Sequence, residues 1–248
     1  MRYHPHNRHF LFFVQPDYEE MSRRAARHLH AKVRERPDLL LCAATGGTPT
    51  RAYRLFAESW ENHRREVSRL RVVKLDEWGG LPPGDAGTCE AYLREHLLGP
   101  LGVTPDRYLG FRPDAPDPAA ECDAVASALD ERGPVDVCVL GLGVNGHLGF
   151  NEPGPALHPH AHVAALSRES LEHPMVRHAA GAPLFGMTLG IGDILRARSV
   201  LLLVNGAHKR EALRRLITGP VATEFPASLL WLHADVTCLC DADAAEGL

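Results

Sequence analysis

Three stretches of this chain carry side chains whose types and spacing suit chemistry. The run Gly141 to Pro153 reads Gly-Leu-Gly-Val-Asn-Gly-His-Leu-Gly-Phe-Asn-Glu-Pro. It holds His147, a residue type that titrates near neutral pH, the carboxylate Glu152 five residues on, and Asn145 as a neutral amide beside them. Such a set can move protons. Asp76-Glu77 is the second stretch; a carboxylate there serves as a general base if burial raises its pKa toward neutrality, and taken alone the pair reads as solvated loop acids. The third is Thr45-Gly46-Gly47-Thr48-Pro49, where glycines let backbone N–H groups crowd round an anion and a following helix adds positive potential. That suits a phosphate, or an ordinary tight turn with a helix cap. It lacks the Gly-Lys-Ser/Thr of a Walker loop and the spacing of a dinucleotide fingerprint, so a nucleotide is disfavoured. Lys209 opens a further helix and reads either as a solvated lysine or as a point charge for the same phosphate.

These groups need elements to hold them. Apolar runs at Phe10–Val14, Leu39–Ala44, Arg71–Leu75, Val135–Leu140, Val200–Val204 and Val236–Cys240 read as buried strands. Helical spacing recurs between them, as in Met21, Ala25, Leu29 and Val33. A helix is expected from about Thr50 to Arg64, capped by Thr48 with Pro49 at its first position, and others over Thr88–Leu98, Ala119–Arg132 and Lys209–Ile217. The alternation is that of a parallel α/β sheet. The chemistry-bearing stretches all follow strands, so they converge on one sheet edge, where open α/β sheets bind ligands. Residues 155–183, rich in His and Pro, read as a lid or excursion whose histidines (His158, His160, His162, His173 and His178) have no catalytic part.

Composition limits the alternatives. A chain of 248 residues suits one domain, residues 1–248, and a net charge of −4 with interspersed signs argues against a nucleic-acid surface. No run approaches the roughly 18 apolar residues of a membrane span, and Met1 to His9 has no signal-peptide core. Six scattered cysteines fit a reduced, cytoplasmic protein, with Cys238 and Cys240 packing on one strand face rather than binding metal. The His147 to Glu152 spacing has no second His or Cys nearby, and acid/base work needs no metal and no cofactor.

Together the motifs resemble the glucosamine-6-phosphate deaminases and, more closely, their galactosamine-6-phosphate isomerase/deaminase relatives. The resemblance covers nearly the whole chain. It rests on Ala44–Pro49, Lys74-Leu-Asp-Glu-Trp78, Gly141–Pro153, Thr188-Leu-Gly190 with Gly206–Lys209, and Pro226–His233; the galactosamine type leans also on Gly87-Thr-Cys-Glu90. It implies a three-layer α/β/α modified Rossmann fold with a mostly parallel sheet. It further implies metal-free conversion of a small-molecule sugar phosphate, galactosamine 6-phosphate or its glucosamine epimer, to the ketose 6-phosphate and ammonia. Carried over residue by residue, Asp76 is the base between C2 and C1, and His147 opens the sugar ring. Glu152 orients His147, with Asn145 beside it, while Thr45, Gly46, Gly47, Thr48 and Lys209 hold the 6-phosphate.

The chain departs from the pattern in places. Some deaminases have Asp where Asn145 stands, which leaves the charge relay to Glu152. Ala156–Ala165 has no Arg or Lys where allosterically activated members are basic, so no such activation is expected, and Arg168 and Arg177 are the available stand-ins for a phosphate-binding arginine. The helical tail of hexameric members has no counterpart before Leu248, so a monomer or small homo-oligomer is expected. Two rivals remain: a 6-phosphogluconolactonase, against which Asn151-Glu152-Pro153 stands, and a sugar-phosphate sensor, for which three retained proton-moving groups are needless.

Overall fold

The computed structural model describes residues 2–3, 9–172, 175 and 179–248; His173, Arg177 and His178 lie outside them. In chain order the strands are β1 (Arg2–Tyr3), β2 (Phe10–Gln15), β3 (Leu40–Ala43), β4 (Arg71–Lys74), β5 (Asp76–Gly79), β6 (Tyr108–Leu109), β7 (Val137–Gly141), β8 (His162–Ala164), β9 (Phe185–Thr188), β10 (Ser199–Val204) and β11 (Val236–Asp241). Eight of them form one sheet in the order β1-β2-β11-β10-β7-β3-β4-β6. All its pairings are parallel except β1 with β2.

Because successive side chains point to opposite faces, each strand feeds two cores. Leu40, Cys42, Val200 and Leu202 pack with the helices Pro118–Arg132 and Arg210–Thr218, while Leu41, Ala43, Leu201 and Leu203 pack with Tyr18–Glu35 and Gly47–Glu58. The result is the expected three-layer α/β/α arrangement. Met21, Ala25, Leu29 and Val33 are buried on the first helix, whose N-terminus Asp17 caps by accepting from the Glu20 N–H. All six cysteines are buried and free, Cys238 and Cys240 on the same core face of β11. Among the described residues no helix is long and apolar enough to cross a membrane.

Strand order makes the site. β3 and β7 are neighbours, yet the chain leaving β3 runs on to β4 on one side and the chain leaving β7 runs on to β10 on the other. A crevice opens where the connections diverge, and the loops after β3 and β7 are its lips. The helix after β3 differs from the expectation. It spans Gly47–Glu58 with Gly46 as N-cap at φ 108°, a left-handed value that glycine adopts without strain. Thr48 therefore lies inside the first turn and does not cap; its hydroxyl donates instead to Asn205 Oδ1 at 2.7 Å.

A second sheet, β5-β9-β8, is antiparallel and was not anticipated. Asp76 and Glu77 are thus not loop acids at the end of β4 but the first residues of β5, after the single linking residue Leu75. Within the segment read as a lid, β8 pairs with β9, and Arg168–Leu171 is helical. His158 stacks on His162, and His160 Nδ1 lies 3.2 Å from Asp193.

The junction of the sheets is fixed by buried charge. The Lys74 ammonium, wholly buried, donates to Glu77 Oε2 (2.6 Å), to the Phe111 carbonyl (2.8 Å) and to Glu90 Oε2 (3.2 Å), which also accepts from the Tyr108 hydroxyl. Glu77 accepts in addition from the backbone N–H groups of Trp78, Cys89 and Glu90, the last two in the first turn of the helix Cys89–Leu93. Removing one partner of a buried ion pair strands the other, at a cost of about 3–5 kcal/mol. Lys74→Met should therefore lower the urea midpoint by a corresponding amount, and adding Glu77→Gln should recover part of it. An unchanged midpoint in the single variant would show that the pair does not hold the junction.

Candidate active site

A cleft of about 560 Å³ opens at the divergence of β3 and β7. Its walls bring together Thr45, Gly46, Gly47 and Thr48, Asp76, His147 and Lys209, with Asn145 and Glu152 packed behind His147.

At one end lies the glycine turn. The Gly46 carbonyl accepts from the Thr50 and Tyr92 hydroxyls, each at 2.9 Å, and the Gly47 carbonyl from Tyr18 at 2.8 Å. With its carbonyls tied back, the turn is held rigid beneath the first N–H groups of a 12-residue helix, which have no partner within the helix. Across the cleft, Gly206 N–H donates to both Asp241 carboxylate oxygens at 3.0 Å and anchors the turn Ala207–Lys209. Burial lowers the Lys209 pKa to about 8, and among the described residues this ammonium forms no ion pair. It is a desolvated cation of a kind that suits an anion. Arg168, one stand-in for a phosphate-binding arginine, is exposed, pairs with Glu172 at 2.8 Å and does not line the cleft.

Asp76 occupies the middle. Burial first, then repulsion from Glu77, raises its pKa to about 7, against the pull of His147, Lys74 and the Cys89 thiol. A carboxylate so poised is half ionised near neutrality, the condition for effective general-base work.

At the other end His147 packs on Gly143, where a Cβ would come within 2.5 Å of the imidazole, so only glycine allows the ring this position. Its Nδ1 is buried 3.4 Å from Glu152 Oε2, which leaves Nε2 for a ligand. Glu152 Oε2 also accepts from Asn145 Nδ2 (2.9 Å), and Oε1 accepts from the hydroxyls of Ser167 (2.9 Å) and Ser170 (2.6 Å). Burial raises the Glu152 pKa, but the adjacent His147 imidazole and bonds from Ser170 and Asn145 outweigh it and hold the group down to about 2. The Asn145 carbonyl meanwhile accepts from the His147 backbone N–H at 3.1 Å, so both ends of its amide are committed.

Ser167 and Ser170 escaped the sequence reading. Their spacing marks a helix start, and Ser167 does cap Arg168–Leu171, but nothing local tells that both hydroxyls reach Glu152. Cys89 and Asn205 likewise line the cleft unforeseen. Among the described residues no group of three or more His, Cys, Asp or Glu side chains is placed to hold a metal ion.

The Lys209 ammonium predicts a pH limit. Because its charge is lost as pH rises through about 8, affinity for a phosphate should be full below that value and fall above it. Lys209→Met should weaken inorganic phosphate binding at pH 7 by about tenfold or more and flatten this dependence. Equal phosphate affinity in the two proteins would remove Lys209 from the site.

The family model described as glucosamine-6-phosphate isomerases/6-phosphogluconolactonase matches residues 17–239. A putative deaminase, AgaI, of Escherichia coli (strain K12) is 43% identical over 223 residues, covering 90% of this chain and 88% of that protein. Glucosamine-6-phosphate deaminase 1 of Bacillus subtilis (strain 168) is 36% identical over 232 residues, 92% of this chain and 96% of its own. The solved structure of a monomeric glucosamine-6-phosphate deaminase matches with a TM-score of 0.88 at 35% identity, over 94% of this chain and 98% of that one. A 6-phosphogluconolactonase from Trypanosoma cruzi shares the fold (TM-score 0.77, 96% of each chain) at only 22% identity. On the extent of these matches the chain belongs to the glucosamine-6-phosphate isomerase/6-phosphogluconolactonase family.

Proposed function

We propose that the protein converts a hexosamine 6-phosphate, galactosamine 6-phosphate or its glucosamine epimer, to the ketose 6-phosphate with release of ammonia. The observation that carries this reading is a buried Asp76 with a pKa near neutrality, set in one cleft between an anion-ready turn and a carboxylate-backed histidine. Sequence likeness favours the deaminase branch, since relatives named as deaminases stand at 43% and 36% identity and the lactonase shares the fold alone.

The steps follow from the groups. Lys209 and the turn Thr45–Thr48 hold the phosphate, which places the sugar carbons against Asp76. His147, oriented by the fixed Glu152 carboxylate, shuttles the proton of the ring oxygen and frees the C1 aldehyde. Asp76 then takes the C2 proton, the electron pair moves into a C1–C2 enolamine, and a proton returns to C1. The resulting C2 imine adds water and expels the nitrogen as ammonia, so one water is consumed for each ammonia released. No redox change occurs, and no cofactor is required.

Residues 155–183 serve in this reading as a cover of the single domain, tethered to the catalytic histidine through Ser167, Ser170 and Glu152. The six buried free thiols fit a reducing cytoplasm. The kinship with a deaminase described as monomeric supports a monomer or small homo-oligomer.

Asp76→Asn should lower kcat by about 10²–10⁴ while KM stays within a few-fold, because the amide keeps the shape and loses the base. Ammonia release from galactosamine 6-phosphate and glucosamine 6-phosphate, with lactone hydrolysis in parallel, is the measurement. Silence on both amino sugars would sink the deaminase reading, and near-normal turnover in the variant would sink the role of Asp76.

A further inference from the structure

Cys89 sits where nothing in the acid/base scheme requires a thiol. Its Sγ shares a hydrogen bond with Thr45 Oγ1 at 3.2 Å and donates to Asp76 Oδ1 at 3.9 Å, and it lines the cleft. Burial, then Glu77 and Asp76, push the thiol pKa well above its usual value, so it is a neutral S–H group with one proton and two acceptors. One of those acceptors belongs to the phosphate turn and the other is the base.

We propose that Cys89 is a positioning residue that couples occupancy of the phosphate turn to Asp76, its S–H bond to the carboxylate weakening when a phosphate takes the Thr45 hydroxyl. The argument is one of hydrogen-bond direction. In the empty cleft the Thr45 hydroxyl donates to Sγ, which leaves the S–H free for the Asp76 carboxylate. A bound phosphate offers Thr45 a charged acceptor, and a charge-assisted bond is about twice as strong as a neutral one. Once Thr45 donates to the phosphate, only its lone pairs face Sγ. Sγ then accepts no bond from Thr45, its S–H is less polarised, and its bond to Asp76 weakens, which withdraws part of the stabilisation of the ionised carboxylate. The base strengthens when, and because, the substrate's far end is seated.

The other groups facing Asp76 remain in place through this exchange. Glu77 and Lys74 come from its own extended segment, His147 from the loop after β7, and Glu77 is locked by Lys74 and by the Cys89 and Glu90 backbone N–H groups. Substitution of the Cys89 side chain leaves those backbone bonds intact, so the relay is separable from the fold.

The test rests on the proposed deaminase activity, and wild-type ammonia release checks that activity first. The acid limb of kcat/KM reports Asp76 in free enzyme and that of kcat reports it in the complex. Cys89→Ala should raise the apparent pKa in kcat/KM by roughly half a pH unit and that in kcat by less, with Cys89→Ser restoring the wild-type pair. Substrate ionisations are common to all three proteins and cancel in the comparison. Equal shifts in both profiles, or none, would overturn the coupling and reduce Cys89 to packing. A second measurement needs no turnover: binding of inorganic phosphate near pH 7, followed by calorimetry in two buffers of different ionisation enthalpy. Wild type should take up more protons per phosphate bound than Cys89→Ala, and equal uptake, or no phosphate binding at all, would also overturn the proposal.

Discussion

A buried ammonium holds this molecule's functional half together. Lys74 lies at the last residue of β4, entirely removed from water, and such a charge persists only if its three donors are met. They are met by Glu77, two residues into a different sheet, by Glu90 on the helix beyond, and by the Phe111 carbonyl. The ion cluster therefore dictates that the chain crosses from the main sheet to the small one within a single residue, Leu75. Asp76 is carried in that crossing, held on both sides by neighbours that cannot move without stranding a charge. The same Glu77 that secures the crossing also repels the Asp76 carboxylate and helps to raise its pKa. Structure and reactivity share one residue.

The site separates two carboxylates by environment. Asp76 is buried beside a like charge and stands near 7; Glu152 lies beside the His147 imidazole, accepts from an amide and two hydroxyls, and stands near 2. Acid/base roles are commonly assigned where paired groups are driven apart in this way. Here the spread leaves one carboxylate free to exchange protons and the other fixed as an anion. Asn145 fits this logic: its Nδ2 can donate to Glu152, whereas an aspartate there would set two carboxylates side by side.

Six of the eight strands of the main sheet were legible as short apolar runs between helices of clear period, while the two-residue strands β1 and β6 are too short to show one; the candidate site residues were legible because they follow strand ends. The small sheet was not. Asp76-Glu77-Trp78-Gly79 contains residue types depleted in strands, and only pairing with β9 and the buried bonds of Glu77 make it extended. Thr48 reads as a cap by type, but the positive φ of Gly46 starts the helix earlier. Ser167, Ser170 and Cys89 act on groups 13 to 18 residues away in sequence, a relation that local spacing does not encode. The residues assigned the chemistry were visible by type; those packed against them became visible only in three dimensions.

The two ends of the cleft differ in completeness, and the difference has a direction. At the histidine end the Glu152 oxygens and both ends of the Asn145 amide are occupied. The phosphate end carries a desolvated ammonium without an ion pair among the described residues and a helix N-terminus with unsatisfied donors. In the proposed reaction a phosphate dianion bound there would relieve a cost already present in the fold, before any sugar hydroxyl is engaged. That gain is local to the non-reacting end of the substrate, where it can fix the sugar's position without stabilising the ground state at C1 and C2. Positioning energy drawn from a remote group in this way would leave Asp76 and His147, in their proposed roles, free to interact more strongly with the transition state than with the bound substrate.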